Sequence, residues 1–124
     1  MIRSLDHLVL TVADIERTVD FYCGILGMQR VAFGAGRVAL AFGAQKINLH
    51  QQGREFEPKA AVPMPGSADL CFVVGLPLSQ VVAQLTDAGV ALEEGPVART
   101  GAMGPITSVY VRDPDGNLIE LSQY

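Results

Sequence analysis

The chain has little of several things, and each shortage excludes something. Only 2 of its 124 residues are cysteine, with no CxxC and no nearby Cys–His pairing, so neither a disulfide framework nor a thiolate metal cage is expected. Cys23 falls in a helical pattern and Cys71 in an apolar strand pattern, and both read as small buried hydrophobes. Basic residues are outnumbered, 9 Lys+Arg against 13 Asp+Glu, and a formal net charge of -4 gives no field to attract a phosphate backbone. Nucleic acid is therefore not an expected partner. No apolar run approaches the roughly 20 residues that span a bilayer, and the opening residues lack a signal peptide's hydrophobic stretch. A soluble, cytoplasmic protein without a membrane partner is expected. Gly34-Ala35-Gly36 is followed by neither Lys nor Ser, which makes it a turn and not a phosphate loop. At this length one domain buries about two thirds of the surface its unfolded chain exposes, so a metal is not required for folding and any metal would serve chemistry.

What is present is one plan used twice. The first half opens with a β-rich run, Leu5-Asp6-His7-Leu8-Val9-Leu10-Thr11-Val12, followed by Asp14 as a helix cap. Ile15, Val19, Tyr22, Ile25 and Leu26 recur at spacings of three and four, predicting a helix to about Leu26, and Gly27 stops it. Strands are predicted over about 29–33, 37–42 and 45–51, separated by glycine turns. The second half restarts at Ala68-Asp69-Leu70-Cys71-Phe72, with a helix to about Ala88 closed by Gly89. The offset that pairs His7 with Asp69 also pairs Gly27 with Gly89. Strands follow at about 91–94, 107–112 and 117–122, the last two joined by Asp113-Pro114-Asp115-Gly116, a β-turn signature. The expectation is one domain, residues 1–124, with module one at about 4–52, a linker at about 53–67 and module two at about 68–124. Pro58, Pro63, Pro65 and Gly66 keep the linker out of helix and central strand, and its length points to a lid or a dimer contact.

Alternation along the strands separates an aliphatic face from a polar one. Leu8, Leu10 and Val12 oppose His7, Val9 and Thr11; Ile47 and Leu49 oppose Asn48 and His50; Ile119 and Leu121 oppose Glu120 and Ser122. Helices cover the aliphatic face, so the other face carries His7, Asn48, His50, Asp69 and Glu120. Singly, each is an ordinary solvated or rim residue. Together, imidazole and carboxylate groups from several strands are what a divalent metal with open coordination positions requires.

Three segments in this order resemble the vicinal oxygen chelate superfamily of glyoxalase I, bleomycin-resistance proteins and extradiol dioxygenases: Leu5-Asp6-His7-Leu8-Val9-Leu10-Thr11-Val12, Phe21-Tyr22-Cys23-Gly24-Ile25-Leu26-Gly27-Met28, and Arg112-Asp113-Pro114-Asp115-Gly116-Asn117-Leu118-Ile119-Glu120. More narrowly, Lys46-Ile47-Asn48-Leu49-His50, Phe56-Glu57-Pro58-Lys59-Ala60 and Glu94-Gly95-Pro96-Val97 resemble the glyoxalase-domain-containing protein 5 and bacterial virulence-protein branch. The resemblance implies an α+β fold of two tandem βαβββ modules, a curled mixed sheet around a cleft with helices on the outer face. It implies a divalent ion (Zn, Ni, Co, Mn or Fe(II)) bound by residues of the first and last strands of each module. His7 and Glu120 match those positions directly. Asp69 stands where relatives commonly have His, and Asn48 aligns with Glu120, leaving His50 one same-face step further on as a ligand or a general base.

The chemistry implied is stabilisation of an enediolate-type anion by the ion, with Glu120 or His50 moving a proton alpha to a carbonyl, hence a glyoxalase-like lyase or isomerase. An Fe(II) extradiol-type dioxygenase and a non-catalytic small-molecule binding or resistance protein are the alternatives. Asn48 and Arg99, the latter in an expected flexible loop over 99–105, are candidate substrate-binding groups, with Arg54 and Lys59 of the linker less supported. Family members of this size usually pair, so a homodimer is expected.

Overall fold

The computed structural model describes residues 1–124. They divide into two compact units, Met1–Ser67 and Ala68–Tyr124. In the first, β1 (His7–Val12), α1 (Ile15–Gly24), β2 (Gln29–Phe33), β3 (Arg37–Phe42) and β4 (Gln45–Gln51) form a sheet of order β1-β4-β3-β2. In the second, β5 (Asp69–Val73), α2 (Leu78–Asp87), β6 (Glu94–Gly101), β7 (Gly104–Arg112) and β8 (Leu118–Gln123) repeat that order as β5-β8-β7-β6. The opening strand of each unit runs parallel to its closing strand and the other pairs are antiparallel, so both sheets are mixed. The architecture is the expected α+β pair of βαβββ modules, built as two four-stranded sheets. No helix is long and apolar enough to cross a membrane.

Each helix is started by its own sheet. Asp14 caps α1, accepting from the Arg17 amide at 2.9 Å. The Gln51 side chain at the end of β4 also accepts from the Ile15 amide, at 3.2 Å. In the second unit Pro77 offers no side-chain cap, and Gln123 at the end of β8 accepts from the Leu78 amide at 2.8 Å. The aliphatic faces are buried as the alternation predicted. Leu10, Val12, Leu40, Ile47 and Leu49 are buried in the unit whose α1 contributes Val19 and Tyr22, and Val109, Val111, Ile119 and Leu121 in the unit whose α2 contributes Leu78, Val81 and Leu85.

Three expectations need correction. The sixth strand does not end at Glu94: it begins there and runs to Gly101, so Arg99 lies in a strand and not in a flexible loop. Gly95 and Pro96, just beyond the expected strand, sit in a register shift against β7. A Cβ on Gly95 would strike the Ser108 carbonyl oxygen and the Val109 Cα, so glycine is needed for this close approach. The first helix stops at Gly24, two residues short of Leu26. Lastly, Cys71 is exposed, because it shares the polar face of its sheet with Glu120, and Cys23 is half-buried, because it lies off the stripe of α1 that buries Thr18, Val19 and Tyr22.

Between the sheets' sequences, residues 52–68 hold only turns and bends. Asp113 organises the last turn of the chain: it is buried, accepts from the Asp115 and Asn117 amides at 2.9 Å each, and accepts from Asn117 Nδ2 at 2.8 Å. Asn117 Oδ1 in turn accepts from the Ala68 amide at 2.8 Å, tying the entry to β5 against the entry to β8.

Candidate functional site

The polar face of the second sheet is organised around Glu120. In register it lies between Cys71 of β5 and Tyr110 of β7, and register partners present their side chains to one face. Its neighbour two residues on, Ser122, is buried and brings its Oγ to 3.4 Å from Glu120 Oε1, 3.2 Å from Cys71 Sγ and 2.7 Å from Ser108 Oγ. On the other side Tyr110 is the register partner of Glu120, and the two side chains interact. Burial pushes the Tyr110 phenol above its usual range and the Glu120 carboxylate adds to this, while the Arg99 guanidinium opposes both. The phenol therefore stays protonated. Arg99 is fully engaged: Nε donates to the Tyr110 oxygen at 3.0 Å, Nη1 to the Ala98 carbonyl at 3.0 Å, and Nη2 lies 3.3 Å from Glu94. Asp69 is exposed at the start of β5, where its charge acts on Arg112.

The first sheet carries a different set. His7 opens β1 half-exposed, with Nδ1 2.7 Å from Asp6 Oδ1, which leaves Nε2 directed away from its anchor. Val9 pairs with Asn48 and Thr11 with His50, so His7, Asn48 and His50 share one face. Asn48 is 5% exposed and its Oδ1 is buried without a hydrogen-bond partner. His50 is 3% exposed, with Nε2 3.4 Å from Arg37 Nη2. Arginine has no acceptor, so Nε2 is the lone-pair nitrogen and Nδ1 carries the proton. Burial first, then the Arg37 charge, hold the His50 pKa below its ordinary 6.5, and the ring is neutral. The Arg37 guanidinium itself sits 4.8 Å from the ring centres of both Phe33 and Phe56, and the Phe56 ring is 5.7 Å from that of His50.

Tyr110, Arg37 and Phe56 are the site residues that sequence reasoning passed over. Tyr110 could have been found by folding the 107–112 strand onto 117–122 across the Asp113 turn, which sets it opposite Glu120. For Arg37 and Phe56 no local signal exists, since they meet only through the linker.

A divalent ion requires a ligand set, and within neither unit do three or more His, Cys, Asp or Glu side chains gather as one. The donor chemistry of two residues nevertheless suits such an ion. Metal-ligating imidazoles characteristically donate their other N–H to a carboxylate, as His7 is placed to do with Asp6, and ligating carboxylates are themselves hydrogen bonded, as Glu120 is by Ser122.

Residues 4–121 match the family model described as Glyoxalase/Bleomycin resistance protein/Dioxygenase superfamily. The chain is 60% identical to Virulence protein STM3117 of Salmonella typhimurium, over 100% of this chain and 86% of that protein. It is 62% identical to Glyoxalase domain-containing protein RDO1 of Mycosarcoma maydis, over 99% of this chain and 69% of that protein. A Catechol-2,3-dioxygenase of Bacillus subtilis is 29% identical over 90% of this chain and 38% of its own length. The crystal structure of Virulence protein STM3117 superposes with a TM-score of 0.98, covering 100% of this chain and 98% of that one. TnmS3, described as an antibiotic binding protein from Streptomyces sp. CB03234, is 26% identical with a TM-score of 0.76, covering 99% and 98%. The two βαβββ units, the segments at both ends and these likenesses agree: the chain belongs to the glyoxalase/bleomycin resistance protein/dioxygenase superfamily.

Proposed function

We propose that the protein is a metal-dependent, glyoxalase-like lyase or isomerase acting on a small carbonyl or vicinal-oxygen substrate. In this reading His7 and Glu120 are metal ligands, with Asp69 a further oxygen donor. The supporting observation is the His7–Asp6 pair at 2.7 Å, which fixes one ring nitrogen and frees the other for coordination. A divalent ion would supply Lewis-acid stabilisation of a developing oxygen anion. Glu120 takes the proton alpha to the carbonyl, and Tyr110 supplies the neutral donor that steadies the carboxylate while it does so. Arg99, with Nε, Nη1 and Nη2 all engaged, is a positioning residue that acts through Tyr110. His50 stands outside the coordination, because its lone pair faces the Arg37 cation, a poor neighbour for a divalent ion.

The test is metal analysis of protein purified without chelator. Stoichiometric divalent metal is expected, and His7→Ala and Glu120→Ala are each expected to lose it while keeping the folded circular dichroism spectrum. If no metal is present and none binds on titration, the enzyme readings fail together. Turnover of 2-oxoaldehyde–thiol adducts supports the lyase or isomerase. Oxygen uptake with catechols in Fe(II) would instead favour a dioxygenase, the reading that the likeness to Catechol-2,3-dioxygenase supports. Tight ligand binding by metal-free protein without turnover would favour sequestration, supported by the likeness to TnmS3. A homodimer belongs to the same reading, and light scattering on the purified protein tests it.

A further inference from the structure

Four of the chain's cations have a carboxylate partner in an ion pair: Arg30 with Glu16, Lys59 with Glu57, Arg99 with Glu94 and Arg112 with Glu93. Arg37 and Lys46 do not, although both lie on the polar face of the first sheet and both rest on the same ring. The Arg37 guanidinium carbon is 4.8 Å and the Lys46 ammonium 4.0 Å from the Phe33 centroid. Arg37 is half-buried, clamped between Phe33 and Phe56, and its one side-chain partner is a neutral histidine. Its Nε is buried without an acceptor, and Asn48 Oδ1, on the adjacent strand, is buried without a donor. A desolvated cation lacking a counterion and an orphaned amide oxygen both carry an energetic penalty that a ligand would relieve.

We propose that this face is an anchor for a small organic acid. Its carboxylate lies against Arg37 and Lys46, and a hydroxyl on the neighbouring carbon donates to Asn48 Oδ1, so the ligand class is a 2-hydroxycarboxylate or a larger molecule that ends in one. The pieces fit that class better than a bare anion. Arg37 and Lys46 supply charge, the guanidinium placed between two rings is restrained for a carboxylate, and the Asn48 oxygen requires a donor that a carboxylate alone does not have. His50 completes the wall: neutral, it leaves the Arg37 charge uncancelled and contributes no second cation. All these residues belong to the first unit, as does His7, whose register partner is Lys46, so the anchor is told apart from the metal reading above by measuring binding with and without metal.

The experiment is a nuclear magnetic resonance titration of the full chain with lactate, propionate and inorganic phosphate, following the Arg37 Nε–H and Asn48 side-chain amide signals. It is run on protein as purified and again after metal removal by chelator. Lactate is expected to shift both signals saturably in both preparations, with propionate about tenfold weaker for want of the hydroxyl. Lys46→Gln, at a half-exposed position that leaves the fold intact, is expected to weaken lactate severalfold. Asn48→Asp, isosteric and anionic, is expected to abolish binding by occupying the cations itself. Lactate binding no tighter than propionate or phosphate, binding indifferent to Lys46→Gln and Asn48→Asp, or binding that disappears with the metal would each overturn the proposal. Metal content, measured on the same samples, reports separately on His7 and Glu120.

Discussion

The two units share a frame and differ in what the frame presents. On the helix-covered side their residues correspond closely. Ile47 and Ile119 are both fully buried at equivalent points of the closing strands, and Gln51 and Gln123 cap the helices from the same strand end. On the other side the same register positions carry unlike chemistry. Asn48 and His50 stand where the second unit has Glu120 and Ser122, and Arg37 and Ala39 stand where it has Ser108 and Tyr110. One face offers ring-clamped cations and a neutral imidazole. Its counterpart offers a carboxylate flanked by a phenol and a hydroxyl. Packing constrains the helix-covered face of each copy, because a core position tolerates little change in volume, whereas the polar face carries different chemistry in the two copies although Asn48, His50, Ser108 and Ser122 on it are buried.

The sharpest way to break the shared frame is to cut the same core position in both copies. Ile47→Ala and Ile119→Ala each remove a side chain at 0% exposure, and each is expected to destabilise by about 2–5 kcal/mol. Urea denaturation measures both. Similar losses are expected, since each isoleucine lies in the second strand of its sheet, beneath the helix; a loss confined to one variant would show that one unit can relax around the cavity and the other cannot.

A smaller effect separates the two helix starts. α1 has both Asp14 and Gln51 for its first amides, but α2 has Gln123 alone. Removing the sole side-chain acceptor leaves an orphaned amide, so Gln123→Ala is expected to cost about 1 kcal/mol. Gln51→Ala orphans the Ile15 amide in the same way but is expected to cost less, because Asp14 still holds the helix start through the Arg17 amide. The order of the two denaturation midpoints checks this, and a reversed order would assign the α1 start to the strand and not to its own cap.

The fold was legible in the sequence because its signals are local and repeated. The strand runs at 37–42 and 45–51 between glycine turns, the glycines that follow the helices at 27 and 89, and the Asp113-Pro114-Asp115-Gly116 turn each act within a few residues, and the second copy checks the first. The shared faces of His7, Asn48 and His50, and of Asp69 and Glu120, followed from that alternation. What was not legible depends on partners distant in sequence. Arg99 read as loop because it lies between two expected strands, yet pairing with β7 extends the sixth strand through it. Arg37 read as the start of an ordinary strand, and only Phe56, brought back by the linker, makes it a clamped cation. Cys71 read as buried because its strand is apolar, but it lies on the polar face at the sheet's edge strand and is exposed.

The smallest expected effect lies in a narrow pH window and again sets the copies apart. His50 is desolvated and faces Arg37, with Glu55 and Glu57 pulling weakly the other way and Lys59 reinforcing Arg37, so its folded pKa lies below the ordinary 6.5. Between those two values the unfolded chain binds a proton that the folded chain refuses. Stability therefore falls as pH drops through 6.5 towards the folded value, then levels off below it, and the contribution is fully intact above about pH 7. The equivalent residue in the second unit is Ser122, which takes up no proton, so this slope belongs to the first unit alone. His50→Gln removes the titrating ring. Unfolding free energies measured between pH 7.5 and pH 5 are expected to fall more steeply for the native chain than for the variant. Parallel curves would mean that His50 accepts its proton in the folded state as readily as in the unfolded one, and that Arg37 does not face it in solution.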